Sequence, residues 1–119
     1  RLPKLHLDIE IPFAELSLEF LSSYELLQPF GSANPEPVFM SREVYLTEPP
    51  RELKNHHLKL SMQQDGCWHD AMFFGAGQRE LPGLEEPWVI AFTINRNVFR
   101  GRTNLQIVIQ DVRPHLKES

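Results

Sequence analysis

Residues 27–39, Leu-Gln-Pro-Phe-Gly-Ser-Ala-Asn-Pro-Glu-Pro-Val-Phe, set three prolines and a glycine at the junction between a helical pattern and a strand pattern. Proline fixes φ and drives the residue before it toward extended geometry, so Gln28, Asn34 and Glu36 are biased out of helix. The run reads as a rigid elbow that fixes a small β domain against whatever precedes it.

Before the elbow, Phe13, Leu16, Leu18, Phe20, Leu21, Tyr24 and Leu27 recur at three- and four-residue spacing with Glu15, Glu19 and Glu25 between them. That spacing predicts an amphipathic helix over residues 12–27, opened by Pro12 and stopped by Pro29. After the elbow, strand signals dominate. Residues 38–46 are rich in β-branched and aromatic side chains and end at Pro49-Pro50. Residues 57–62 alternate Leu58, Leu60 and Met62 against His57, Lys59 and Ser61; Asp65-Gly66 marks a hairpin turn, and residues 68–74 form a third, largely apolar strand. Residues 78–87 read as a loop or a single helical turn. Residues 88–94 alternate Trp88, Ile90, Phe92 and Ile94 against Val89, Ala91 and Thr93, and residues 104–112 alternate Leu105, Ile107 and Ile109 against Gln106, Val108 and Gln110. Five short strands interrupted between the third and fourth fit the small, partly open barrel of the oligonucleotide-binding (OB) fold. The expected class is mostly β with one preceding helix: a linker over residues 1–28, then a barrel over residues 29–119.

A chain of 119 residues has room for one core. Its formal net charge of −4 argues against a general polyanion binder. The charge is unevenly spread, however. Residues 1–37 carry six acids against Arg1 and Lys4, whereas residues 88–119 carry Arg96, Arg100, Arg102, Arg113 and Lys117 against Asp111 and Glu118. A single cysteine, Cys67, excludes an internal disulfide, and no apolar run approaches the roughly 18 residues of a membrane span. A soluble, cytoplasmic protein without membrane association is expected. Residue 1 is an arginine with no methionine before it, as in a piece of a longer protein.

The elbow, together with His57-Leu58-Lys59-Leu60, Asp70-Ala71-Met72-Phe73-Phe74, Asn97-x-Phe99-Arg100-Gly101 and Leu105-Gln106-Ile107-x-Ile109-x-Asp111, closely resembles the OB domain of RecJ proteins over residues 8–114. RecJ proteins are 5′-to-3′ exonucleases of DNA repair and recombination that act on single-stranded DNA. The resemblance implies a non-catalytic domain that guides single-stranded DNA to a nuclease core in the same polypeptide, with residues 13–27 as the link. It implies Mn or Mg for the parent enzyme and no cofactor for this piece, because the family's Asp-His-His motif and further metal-holding aspartates have no counterpart here. It also admits a single-strand-binding protein as partner. Ala33 stands where the family often has glycine, so the elbow's backbone there must accommodate a Cβ.

OB domains grip single strands with cations along the phosphates and aromatic faces under the bases. Arg96, Arg100 and Arg102, around the last turn, are the leading phosphate contacts, followed by Lys54, His57 and Lys59; His56 is better read as a solvated surface residue. Trp68, beside the Asp65-Gly66 turn, is the expected exposed stacker, while Tyr45, Phe73 and Phe99 are assigned to burial and Phe39, Trp88 and Phe92 to the core. The plain alternative is that these cations only solubilise a surface and protect a sheet edge. A zinc site from Cys67, His69, His56 and His57 would demand a particular hairpin register, and no second metal-spacing element supports it. Cys67 or His69 as a nucleophile lacks an orienting acid. Glu85-Glu86 reads as solvated loop. A competing function is a docking module that packs on the nuclease core or a partner without gripping DNA, which the net negative charge favours.

Overall fold

The computed structural model describes residues 8–116; Arg1, Lys4, Lys117 and Glu118 lie outside the described residues. Seven strands form one sheet: β1 (Asp8–Glu10), β2 (Val38–Leu46), β3 (Arg51–Glu52), β4 (Leu58–Gln64), β5 (Cys67–Phe73), β6 (Trp88–Phe99) and β7 (Arg102–Pro114). Five of them make a ring, β2 to β4 to β5 to β7 to β6 and back to β2, the expected OB-like arrangement. The two remaining strands are edges: β1 runs parallel to β2, and β3 pairs with β4 through Arg51↔Lys59 and Glu52↔Leu58.

The ring closes because β2 changes partner partway along. Phe39 and Ser41 pair with Phe92 and Ile90 of β6, the register slips between Ser41 and Val44, and Tyr45 and Leu46 then pair with Gln63 and Met62 of β4. Glu43 has a φ of 51°, and the bulge bends the strand around the core. Gln64 braces this bend, donating its amide to the Arg42 carbonyl at 2.6 Å and accepting from the Phe13 N–H at 2.7 Å.

The expected helix over residues 12–27 is only half as long. Phe13–Glu15 forms one 3-10 turn, Leu16 leaves helical geometry, and α1 spans Leu18–Glu25. The physical cause is Ser17, whose hydroxyl accepts from the Phe20 N–H at 3.0 Å and thereby caps a new helix start. The break lets Phe13 and Leu16 turn inward. Both are buried with Ile11, Leu21 and Tyr24 in the same core as Trp88, Ile90, Phe92 and Ile107, so the 3-10 turn and α1 pack against the barrel through these five side chains. Tyr24 and Phe20 meet Phe39 with ring centroids 5.8 and 5.6 Å apart.

The elbow is folded on itself. Gly31 and Asn34 exchange backbone hydrogen bonds of 2.8 and 3.1 Å, and the Asn34 amide donates to the carbonyls of Leu27 and Pro29. Tyr24 donates its hydroxyl to Glu36, which ties the connector to α1. Strand alternation is as expected for β4, with Leu58, Leu60 and Met62 buried; β5, expected to be apolar on both faces, also alternates, with Ala71 and Phe73 buried and Trp68 and Asp70 exposed. The last two strands run further than their apolar alternation predicts. Their ladder continues from Trp88↔Pro114 to Phe99↔Arg102, so residues 95–104 project beyond the core as a two-stranded ribbon.

Candidate nucleic-acid interface

Counted around the ring in chain order, β4 and β5 are the second and third strands, the ones whose outer face binds oligonucleotides in OB folds, flanked by the first and fourth connections. Side chains of paired residues share a face. The outer face therefore carries Lys59, Ser61 and Gln63 on β4 and Met72, Asp70 and Trp68 on β5. It continues onto the ribbon with Val108, Gln106, Asn104 and Arg102 on β7 opposite Thr93, Asn95, Asn97 and Phe99 on β6.

Two aromatics stand out from this face: Trp68 is 64% exposed and Phe99 61%. The burial expected of Phe99 is not observed; it is a surface residue, because the ribbon carries it past the end of the core. Tyr45 is half-buried and Phe73 fully enclosed, with the Arg79 guanidinium 4.8 Å from the Phe73 ring centre. Phe39, Trp88 and Phe92 are core as expected.

The expected phosphate contacts separate into three groups. Arg100 and Arg102 sit at the ribbon tip, where Arg100 and Gly101 form the two-residue turn with φ of 51° and 77°. Arg100 lies 5.1 Å from the Phe99 ring centre, a cation over an aromatic face. Lys54, Lys59 and, unforeseen, Arg51 gather at the opposite end, on β3, β4 and the loop before β4. Lys59 pairs with Met72, four residues along β5 from Trp68, roughly 13 Å at 3.3 Å per residue. His57 belongs to this end, but its Nδ1 accepts from the Gly75 N–H at 2.8 Å and its ring meets Phe74 edge-on at 5.1 Å, pinning the loop after β5.

Arg96 forms the third group alone. It lies within β6 rather than at the turn, on the ribbon face that looks toward α1. Its guanidinium donates to both oxygens of Glu25 at 2.8 and 3.2 Å and to the Ser22 hydroxyl at 3.2 Å. These hydrogen bonds hold the Glu25 carboxyl below its ordinary value and raise the guanidinium's. An unbroken positive strip from Lys59 through Arg96 to Arg102 is thus absent: Arg96 is engaged and Asp70 stands on the face between the two ends. Among the described residues, Arg42, Arg79 and Arg96 are ion-paired with Glu10, Asp111 and Glu25, whereas Arg51, Lys54, Lys59, Arg100, Arg102 and Arg113 make no ion pair.

A cleft lies at the seam between β5 and β7, lined from both faces of the sheet. The parallel pairing of β5 with β7 is limited to Ala71↔Ile107 and Met72↔Val108, and below these pairs the strands part. The resulting cleft has a volume of about 290 Å³ between Trp68, His69 and Asp70 on one side and Thr103 and Asn104 on the other. Leu16 and Leu18 approach it from the α1 side. His69 is anchored here, its Nε2 donating to the Phe13 carbonyl at 3.1 Å with the Phe13 ring edge-on at 5.1 Å. Burial lowers its pKa, so the ring is favoured neutral, with Nδ1 as an acceptor.

The β4–β5 register sets Cys67 opposite Gln64 and Leu58 opposite Phe73, which places Cys67 and His57 at opposite ends of the hairpin. No group of three or more His, Cys, Asp or Glu side chains converges among the described residues. No helix among the described residues is long and apolar enough to cross a membrane.

A family model described as the RecJ OB domain matches residues 7–111. The chain is 29% identical over 116 residues to a protein of Salmonella typhimurium named single-stranded-DNA-specific exonuclease RecJ, covering 85% of this chain and 18% of that protein. It is 27% identical over 110 residues to a protein of the same name from Haemophilus influenzae, covering 90% of this chain and 19% of that one. The chain thus spans less than a fifth of the length of these relatives. Its fold is similar to crystal structures of RecJ from Thermus thermophilus in complex with Mn2+ (TM-score 0.66, 24% identity, 93% of this chain and 16% of that) and Mg2+ (TM-score 0.63, 22% identity, 93% and 17%). The match over residues 7–111 and the ring of strands agree, and the chain belongs to the RecJ OB domain family.

Proposed function

We propose that this chain is the non-catalytic, single-stranded-DNA-binding OB domain of a RecJ-type 5′-to-3′ exonuclease, guiding DNA toward a nuclease core in the same polypeptide. The parent enzyme works in the cytoplasm with Mn or Mg held by residues outside this chain. The observation that carries the reading is the outer face of β4, β5 and the ribbon. It presents two exposed aromatics, Trp68 and Phe99, with unpaired cations at both ends, and amide side chains fill the ground between. Bases stack on aromatic faces whatever their identity, and cations at either end bracket the backbone. The net charge of −4 makes the grip modest and strongly dependent on salt.

The test is a titration of a fluorescent single-stranded oligothymidylate at low and moderate salt with the chain and with its Trp68→Ala/Phe99→Ala variant. Binding that weakens with salt and is lost in the variant supports the reading. Absence of binding at the lowest salt overturns it in favour of docking on the nuclease core. That second reading is favoured by Leu26 and Leu27, both exposed where α1 meets the elbow, just after Glu25, which Arg96 engages.

A further inference from the structure

Trp68 and Asp70 are two residues apart on β5, so their side chains leave the same face about 7 Å from one another. A base lying flat on the indole therefore brings its hydrogen-bonding edge within reach of the Asp70 carboxylate. Asp70 is exposed, and its carboxylate makes neither an ion pair nor a side-chain hydrogen bond among the described residues. It is also the one acidic side chain on an otherwise cationic and amide-rich face, and a carboxylate there opposes phosphate binding.

Both residues border the cleft where β5 and β7 part, and the parting leaves backbone groups along each strand without ladder partners across the seam. At about 290 Å³ the cleft lies at the small end of small-ligand sites. It has room for a single planar group rather than a folded one. On the outer face the cleft offers the Asp70 carboxylate as acceptor, whereas His69, one residue along β5, turns to the opposite face, where its Nε2 donates to the Phe13 carbonyl. Thr103 and Asn104 can serve in either sense.

We propose that the β5–β7 seam is a base-reading subsite in which one nucleobase stacks on Trp68 and donates its exocyclic amino group to Asp70. The inference rests on the single-strand reading above and gives it a base preference. Cytosine, adenine and guanine carry an amino donor. Thymine presents a carbonyl oxygen where cytosine presents its amino group, so an acceptor faces the carboxylate and no hydrogen bond forms there. Asp70 weakens the general grip on phosphate and in exchange discriminates among bases.

The experiment compares oligodeoxycytidylate and oligothymidylate of equal length, at one salt concentration and neutral pH, binding to the chain and to its Asp70→Asn and Trp68→Ala variants. The chain is expected to bind the cytidylate about tenfold more tightly, the effect of one hydrogen bond to a charged acceptor. Asp70→Asn, at an exposed site whose loss does not threaten folding, reduces the preference to less than about twofold, because an amide both donates and accepts. Trp68→Ala weakens both oligonucleotides and also reduces the preference, because the base is no longer held against Asp70. Equal affinity of the unaltered chain for the two, or a preference that survives Asp70→Asn, overturns the subsite and leaves the single-strand reading standing. Binding of neither oligonucleotide overturns both.

Discussion

The two halves of the β6–β7 hairpin share one continuous ladder and differ in what lies beneath it. In the lower half, Trp88, Ile90, Phe92 and Ile94 alternate into a filled core against Ile107 and Ile109. In the upper half the alternation continues with Arg96 and Val98, but the core has ended and only the end of α1 faces them, with Glu25 and Ser22 meeting Arg96. The lower half is held by burial of apolar surface. The upper half keeps its backbone pairing, and its outward side chains are left available for a ligand.

The sharpest way to break the comparison is to remove a side chain from each half. Trp88→Ala empties a fully enclosed site and strands the Gly83 carbonyl that accepts from the indole N–H at 3.0 Å. A loss of about 3–5 kcal/mol is expected in urea unfolding, while Val98→Ala in the ribbon stays within about 0.5 kcal/mol. A Trp88→Ala variant as stable as the parent would show that the lower half is not the core.

In binding the order reverses. Trp68→Ala and Phe99→Ala are each expected to weaken single-stranded DNA affinity by about 1–3 kcal/mol in a fluorescence titration, with stability changed by less than about 0.5 kcal/mol. If Phe99→Ala binds normally, the ribbon's outer face is not part of the interface. A smaller effect is expected from the cations: Lys59→Ala and Arg102→Ala weaken binding to every sequence and lower the slope of log affinity against log salt by about 0.7 per lost phosphate contact on a single strand. Arg96→Ala leaves that slope unchanged, since its guanidinium already holds Glu25.

The smallest effects lie in the pH dependence of stability. His69 is favoured neutral by burial, so the unfolded chain takes up its proton first and stability falls as pH drops below about 6.5. Glu25 is held below 4.5 by its hydrogen bonds to Arg96, so that pair's contribution is complete above 4.5 and disappears as pH falls through the lower, folded value. Urea titrations across pH should show both declines in the parent chain. Arg96→Ala should remove only the more acidic one.

Much of the fold is legible along the chain. Strict alternation marks the lower strands, the Asp65-Gly66 and proline signals mark the turns, and the elbow's ordered residues carry the family resemblance. Apolar periodicity predicts a helix twice too long because it does not register Ser17 as a cap. It also does not tell an apolar residue on a helix from one, such as Phe13, that leaves the helix to plug a core. β1 and β3 escape notice because two- and three-residue strands have no period of their own and exist only through their partners.

The site divides in the same way. Trp68 as an exposed ring and Arg100 and Arg102 at the last turn can be placed from local sequence, because turns are local. Phe99 is harder to place: apolar alternation stops at Ile94, and only the fold shows β6 continuing as a ribbon to the Arg100-Gly101 turn. Arg96 and Glu25 are 71 residues apart, and nothing local announces their pairing. Residue order alone suffices for the main strands, their inward faces and the family, since each depends on neighbours within a few positions. Which cations remain free, that Phe99 stands in solvent and where β5 and β7 part are settled only once the chain is folded, because each depends on where the filled core stops and on which distant segment lies across the gap.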